Sequence, residues 1–454
     1  MAGINSQFRI LEASLILSSP SAEDTVIEIS ENILELQFFE NILKPYVDGR
    51  MAVLDDFGLR TSIGSTGTER IRFVIASGVD LDTPVIEKIF FFQEIVDSKK
   101  QGERSEILQI NLVEEHVYIN AIKSFSKSYT GKLEDIATDI LSNQTGKTVS
   151  PVFYEPSVQE ERKIIIPYMS PLEAVQWIIT RATTRTGSPL YLYGSLYTNA
   201  VLLSDLDSML KEEVINSKLP ARYSSAIGGI DDTQETLRSY FEVLSVREIG
   251  SDNALLMYEV GAIGSEYASL DANNGNYQVT HLSIRNTLDE FYSNEILNKN
   301  TTQSVFDPSL EIDGKLSDEY NSTHIHQIVS TGTYNQYKSY HDETQLVDAN
   351  NNIVDSRLKA KNKITRHLMK KNVIDIGMNG ALFFEKKIGV GRKFRILFLD
   401  PNVEQESKDA ADQIDKRKSG DYLITQINHK LSGDEHFSVL RLTKLGELPT
   451  DFIV

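Results

Sequence analysis

Over the first 112 residues apolar and polar positions alternate with a period of two, the spacing of strands with one buried and one wet face. Phe8, Ile10 and Glu12 begin the pattern and residues 25–37 continue it. Further strands are predicted at 50–55, 70–75, 89–96 and 106–112, with the polar run from Ser98 to Arg104 joining the last two as a hairpin. From about Ser126 the period lengthens. Leu133, Ile136, Ala137, Ile140 and Leu141 recur at helical spacing beside Glu134, Asp135 and Asp139. A second helix is announced at Ser170, which can cap, with Pro171 suited to the first helical position and Glu173 able to complete a capping box. It is predicted to run to about Arg185, carrying Leu172, Val175, Ile178, Ile179 and the only tryptophan, Trp177. The turn at 186–189 then leads into a strand at 190–193.

Leu237, Tyr240, Phe241 and Leu244 predict a further helix over 231–245. Between about 246 and 350 the chain is polar and rich in Asn, Ser, Asp and Tyr, with turn signals at 271–275 and 350–352. This reads as an insertion with short strands and long loops. Strand patterns return at 373–376, 381–384, 393–399, 422–429 and 437–443, with a charged, helical-looking stretch or loop at 402–418. Sheet thus frames the chain, and the frame has the look of a repeat. The hairpin from Phe92 through Gly102 to Leu112 matches that from Leu423 through Gly433 to Leu442 in length, turn position and apolar order, and each follows an Arg-bearing strand.

Composition narrows the class. With 454 residues, 40% hydrophobic and 24% charged, the chain can build several cores of ordinary domain size. It has no run of eighteen apolar residues, and its start lacks the basic and apolar segments of a signal peptide, so a soluble, cytoplasmically made protein is expected. Without cysteine, disulfides and thiolate metal sites are excluded. A formal net charge of −19 argues against phosphate-backbone binding as the main task.

Candidate chemistry is sparse. There is no phosphate-binding G-x-x-x-x-G-K-[ST] loop, no H-E-x-x-H, no G-x-S-x-G and no cysteine nucleophile. His324 and His326 would share one strand face, with His341 as a third possible metal ligand, but surface or interface histidines are the plainer reading and no metal is expected. Asp205 and Asp207 imitate a carboxylate pair, yet Asp205 is better placed to cap a helix running through Leu210. The glycines Gly389 and Gly391 lack the third glycine and following helix of a dinucleotide loop, so a turn between strands is expected. The basic stretch from Arg357 to Lys371 is predicted to be helical, presenting a solvated face or a contact for an acidic partner. No catalytic residue and no cofactor is assigned, and the chain is read as non-enzymatic.

Three segments resemble one family. The run from Phe39 to Asp56, containing Glu40-Asn-Ile-Leu-Lys-Pro-Tyr46 and followed by Leu59, Gly64 and Glu69-Arg-Ile-Arg-Phe73, is similar to the first tube domain of baseplate central hub proteins of contractile-tailed phages. In that family the motif is a strand, an E-[NS]-I-x-x-P-[FY] turn, a strand ending in Asp and a short approach to the next strand. Here Gly67-Thr-Glu69 replaces the usual Gly-Glu pair. The helix from Ser170 to Ile178, preceded by Ile166-Pro-Tyr168, resembles the family's P-x-E-A-[IV]-x-[WF]-[LI] helix, and the hairpin from Ser419 to Leu442 resembles its last hairpin. Hub portions of type VI secretion spike proteins are related. Residues 246–370 match poorly.

The resemblance implies an α+β multidomain chain with two similar antiparallel β-barrel tube domains, an α/β middle domain and a loop-rich insertion. The expected limits are 1–125 for the first tube domain, 126–245 for the middle domain, part of which completes the second tube domain, 246–370 for the insertion and 371–454 for the second tube domain. It further implies a homotrimer forming a pseudo-sixfold ring in the baseplate of a virion tail, assembled in the host cytoplasm. Its partners would be the trimeric central spike, the tail tube ring, and the tape measure and other baseplate proteins. DNA would pass an acidic lumen without specific binding. A tail-tip peptidoglycan hydrolase and the hub of a contractile injection system are the alternatives.

Overall fold

A computed structural model describes residues 8–17, 24–63, 69–77, 81–154, 162–184, 186–223, 241–249, 254–259, 261–271, 277–293, 311–320, 323–329, 354–370, 372–399, 414–415 and 418–444. Seven strands form its first β unit: β1 (Phe8–Leu17), β2 (Thr25–Glu28), β3 (Ile33–Asn41), β4 (Asp48–Asp55), β5 (Arg70–Ser77), β6 (Ile86–Lys100) and β7 (Glu106–Val113). They lie side by side in the order β2-β1-β5-β6-β7-β4-β3, every pair antiparallel. The alternation predicted from sequence sets which side chains turn inward: Leu36 and Phe38 from β3, Met51 and Val53 from β4, Ile71 and Phe73 from β5. At the centre Phe38 stacks on Phe90 at 5.5 Å and meets Phe73 edge-on at 5.9 Å. Burying each such ring stabilises the fold by roughly 2–3 kcal/mol. The turn after β4 is closed by Asp55, whose carboxylate accepts from the amides of Gly58, Leu59 and Arg60.

An α/β segment follows. Strands β8 (Phe125–Gly131) and β10 (Arg162–Met169) pair with each other, while β9 (Val149–Pro151) runs parallel to β12 (Thr198–Asp205), itself antiparallel to β11 (Leu190–Ser195). Helices Leu133–Ile140 and Pro171–Ile179 cover them, burying Ile136, Ile140, Val175 and Ile178. The capping box at Ser170 and Glu173 is present. The second helix stops at Ile179, short of the expected Arg185, because a tight turn takes over in which the Thr184 amide donates to Ser188 and Thr183 bridges Pro189.

The second β unit is assembled from distant pieces: β13 (Ala221–Tyr223), β14 (Glu242–Glu248), β20 (Val373–Asn379), β21 (Lys393–Leu397), β22 (Gly420–Ser432) and β23 (Glu435–Thr443). Its order is β22-β21-β13-β14-β20-β23, and the β22–β23 pairing closes the ring into a six-stranded barrel. The barrel is antiparallel except at β13, which runs parallel to both its neighbours. Of the helix expected over 231–245, residues 231–240 lie outside the described residues and the remainder is strand, since Val243 faces the barrel core while Leu244 turns outward. Ala381–Glu385, expected as strand, is a helical turn. Ala381, Leu382, Phe383 and Phe384 are all buried, so the run carries no periodicity, and the Asn379 side chain accepts from the Ala381 amide to start the turn.

Between β14 and β20 lie β15 (Gly264–Asp271), β16 (Tyr277–Ser283), the short β17 (Glu311–Ile312) and β18 (Lys315–Leu316), and β19 (Thr323–Val329). β15, β16 and β19 form one three-stranded sheet, flanked by helices Ile284–Ser293 and Val354–Leu368. The first of these helices was not legible in the polar sequence. Most of the charged stretch at 402–418 lies outside the described residues.

The two β units share one plan. Taken in chain order, their six strands (β1, β3, β4, β5, β6, β7 against β13, β14, β20, β21, β22, β23) occupy the same lateral order, first-fourth-fifth-sixth-third-second. Two irregularities coincide as well, while a further bulge at Val96 in β6 has no counterpart in β22. A bulge at Gln93 in β6 matches one at Thr425 in β22, and a bulge at Leu34 in β3 matches one at Leu244 in β14. Bulges interrupt pairing at defined positions, so two coincident ones are strong evidence of a shared framework. The units differ at the first strand: β1 is antiparallel to β5 whereas β13 is parallel to β21.

Candidate assembly interface

The two units meet edge to edge within the chain. The far half of β22, Gln426 to Ser432, pairs antiparallel with β3 from Asn41 to Glu35, so thirteen strands form one continuous sheet. Lys430 reinforces the seam through an ion pair with Glu35 at 2.8 Å. Beside the seam lies a polar groove of about 650 Å³ lined by Lys44, Asp48, Arg50, Asp375 and Arg441 among others. Its charges are largely satisfied internally: Arg441 makes two bonds to Asp375, at 2.9 and 3.0 Å, and Lys44 bonds Asp48 at 2.5 Å.

Behind the seam sits a buried cluster that fastens the α/β segment to the first unit. Lys88 of β6, 3% exposed, donates to Glu114 at 2.5 Å and to the Ser195 carbonyl. Lys147 reaches the other Glu114 oxygen at 2.8 Å, and His116 lies 3.4 Å from it. Burial opposes ionisation of Glu114, but the ammonium groups of Lys88 and Lys147 hold it below the usual carboxylate range. Glu40 of β3 accepts from the Leu196 amide at 2.6 Å, and burial pushes its carboxyl up to about 7. Burial pulls the His116 imidazole down to about 4. Gly194 completes the joint: a Cβ there would stand 2.6 Å from the Tyr46 backbone. Alternation in β6 (Ile86, Lys88, Phe90) and in β3 (Leu36, Phe38, Glu40) was the signal for two of these inward charges, and the sequence reading passed over it.

The residues singled out in the sequence do not converge. Asp205 caps the helix Leu206–Lys211, accepting from the Ser208 amide at 2.9 Å, while Asp207 accepts from the Thr186 hydroxyl at 2.6 Å, so the pair is structural. Gly391 takes φ +85 in the turn before β21, as a turn glycine does. The basic stretch is helical over Val354–Leu368, but its face is not simply solvated. Lys361 is buried, and Arg366 donates to the carbonyls of Leu190 at 3.0 Å and Ile179 at 3.5 Å, pinning the insertion to the α/β segment. That correction follows from the mixed face, on which Ile364, Thr365 and Leu368 are buried with the cations. His324 and His326 fall on β19, in parallel register with Glu266 and Ala268, and His341 lies outside the described residues.

Two strand edges are open among the described residues. β6 pairs with β5 only from Ile86 to Phe91, and from Glu94 to Lys100 its β5-facing edge has no strand partner among the described residues. β14 pairs with β13 only at Glu242 and Val243, leaving the same side of residues 245–248 open in the same sense. Val96 and Leu244 are 49% and 57% exposed on these strands.

The sequence matches no protein-family model and no curated protein. Solved structures do match. The tail protein from Neisseria meningitidis MC58 aligns over 96% of this chain and 97% of its own, at a TM-score of 0.51 and 10% identity. The two share a fold. The 43 kDa tail protein of prophage MuSo2 from Shewanella oneidensis aligns over 95% of this chain and 97% of its own, at a TM-score of 0.48 and 9% identity. A type VI secretion component from E. coli aligns over 91% of this chain and 73% of its own, at 0.42 and 8%. With this tail-protein fold the α+β, multidomain architecture expected from sequence is the one found, including a closed six-stranded barrel.

Proposed function

We propose that this tail-protein fold serves as a baseplate hub: a structural, non-enzymatic subunit that forms a trimeric, pseudo-sixfold ring joining a tail tube to a trimeric central spike. The observation that carries this reading is the duplicated β unit. Two units of one plan, already joined edge to edge in one chain, supply two near-equivalent positions of a ring, so three chains supply six. The domain division used here follows the strands: a first tube unit, an α/β segment whose end lends β13 and β14 to the second unit, an insertion, and a C-terminal completion of the barrel. A net charge of −19 suits a ring through which DNA passes without adhering. The virion baseplate would be its location, with tube ring, spike and tape measure as neighbours.

Light scattering and negative-stain imaging of the purified chain, alone and with its spike partner, test this. A trimeric ring with a central hole is expected. Monomers without a hole in both samples would overturn the reading, and turnover of purified peptidoglycan would replace it with that of a tail-tip hydrolase.

A further inference from the structure

From the two open edges we infer that the β6 segment from Ser98 to Lys100 pairs antiparallel with β14, residues 246–248, of a second copy of this chain. The inference rests on the ring proposed above and adds the contact that would build it. Within one chain, the far half of the fifth strand of the second unit (β22) pairs with the second strand of the first unit (β3). The strands equivalent to these are β6 and β14. Their matching edges are the ones left open among the described residues, and they belong to opposite units. The joint made once inside the chain is therefore available a second time between chains. Such a contact is head-to-tail, the type that closes rings, and it removes the hazard of exposed strand edges.

The equivalence also sets the register. Ile95 pairs with Ile110 as Ile427 pairs with Leu440, and Val246 pairs with Ile376 as Leu36 pairs with Met51. Following the hairpin partners onward, Lys100 stands where Leu431 stands and Ser98 where His429 stands. Because Leu431 faces Leu36 and His429 faces Phe38, Lys100 should face Val246 and Ser98 should face Glu248. This places Lys100 diagonal to Glu248 and Asp97 diagonal to Arg247, two attractive pairs, against one direct like-charge pair, Lys99 with Arg247. Inside one chain the Ser98 amide donates to the Asp97 carboxylate and Lys418 pairs with Glu248.

The native chain has no cysteine, so the double variant Ser98→Cys/Glu248→Cys reports the contact directly. Both positions lie on open edges, away from the apolar cores. Oxidation should give disulfide-linked dimers and closed trimers on denaturing gels, at least tenfold above either single variant and above the control pair Ser98→Cys/Thr25→Cys. Amide exchange at 98–100 and 246–248 should slow on assembly in the native protein. A trimer by light scattering that neither cross-links above the control nor protects these amides overturns the pairing and leaves the ring standing. A chain that stays monomeric with its spike withdraws the ring, and this contact with it.

Discussion

At the scale of single residues, the buried cluster around Lys88 governs how the chain responds to mutation and acid. Removing Lys88 leaves Glu114, 4% exposed, with only the more exposed Lys147 as an ammonium partner. Stripping one partner from a buried pair costs about 3–5 kcal/mol, so Lys88→Met should lower the urea midpoint sharply, and an unchanged midpoint would show that Lys147 suffices. The histidines set an acid limit. Burial draws His116 down to about 4 and His429 to about 3, and it draws His436 well below its ordinary value, helped by neighbouring His429. All three are neutral in the fold, so their contribution is complete above the unfolded value near 6.5 and is lost as pH falls toward 4 and then 3. Glu40 acts with the opposite sign. Raised to about 7, it favours the folded state fully below its unfolded value near 4.5 and loses that advantage as pH rises through 7. Glu40→Gln should therefore gain stability relative to the native chain between pH 5 and pH 8, by on the order of 3 kcal/mol at most, read from thermal melts at the two values. These charges were only half legible. Strand alternation points Lys88 and Glu40 inward, but their partners at Glu114, Lys147 and Leu196 are brought in by tertiary folding, which no local spacing encodes.

At the scale of elements, legibility followed periodicity and capping. The strands of both ends, residues 381–384 apart, and the capped helix at Ser170 carry two-residue or helical spacing and are present. Ser170→Ala should cost about 1 kcal/mol, measured by chemical unfolding, because both halves of the box are formed. Where every face is buried, as at Ala381–Glu385, period vanishes and strand cannot be told from helix. Where the pattern at 242–245 mixes a core valine with an exposed bulge leucine, it imitates a helical stripe. Gly194 shows an element set by close approach. Gly194→Ala should push β11 off the Tyr46 backbone and destabilise the chain by about 1–3 kcal/mol in the same assay.

For the whole molecule, the shared sheet is the main organising fact. Because β22 spans both units, pairing with β21 in one half and β3 in the other, neither core can open without breaking strands that bound the other. Calorimetry should therefore show the two β units melting in a single transition, and two well-separated transitions would show that the seam does not couple them. The repeat read from residues 92–112 and 423–442, with the Arg-bearing strand before each, reached only three strands of each unit. Contributions such as β13 and β14 are too short, and too far from the rest of their barrel in sequence, to announce their partners.

One asymmetry between the units has a geometric consequence. The link between second and third strands is residues 42–47 in the first unit, a tight turn, and residues 249–372 in the second, which carry a sheet and helices of their own. In a ring of such chains, neighbouring stations would share a backbone plan while every other station bears the extra mass. Such a ring would count six by its strands and three by its insertions.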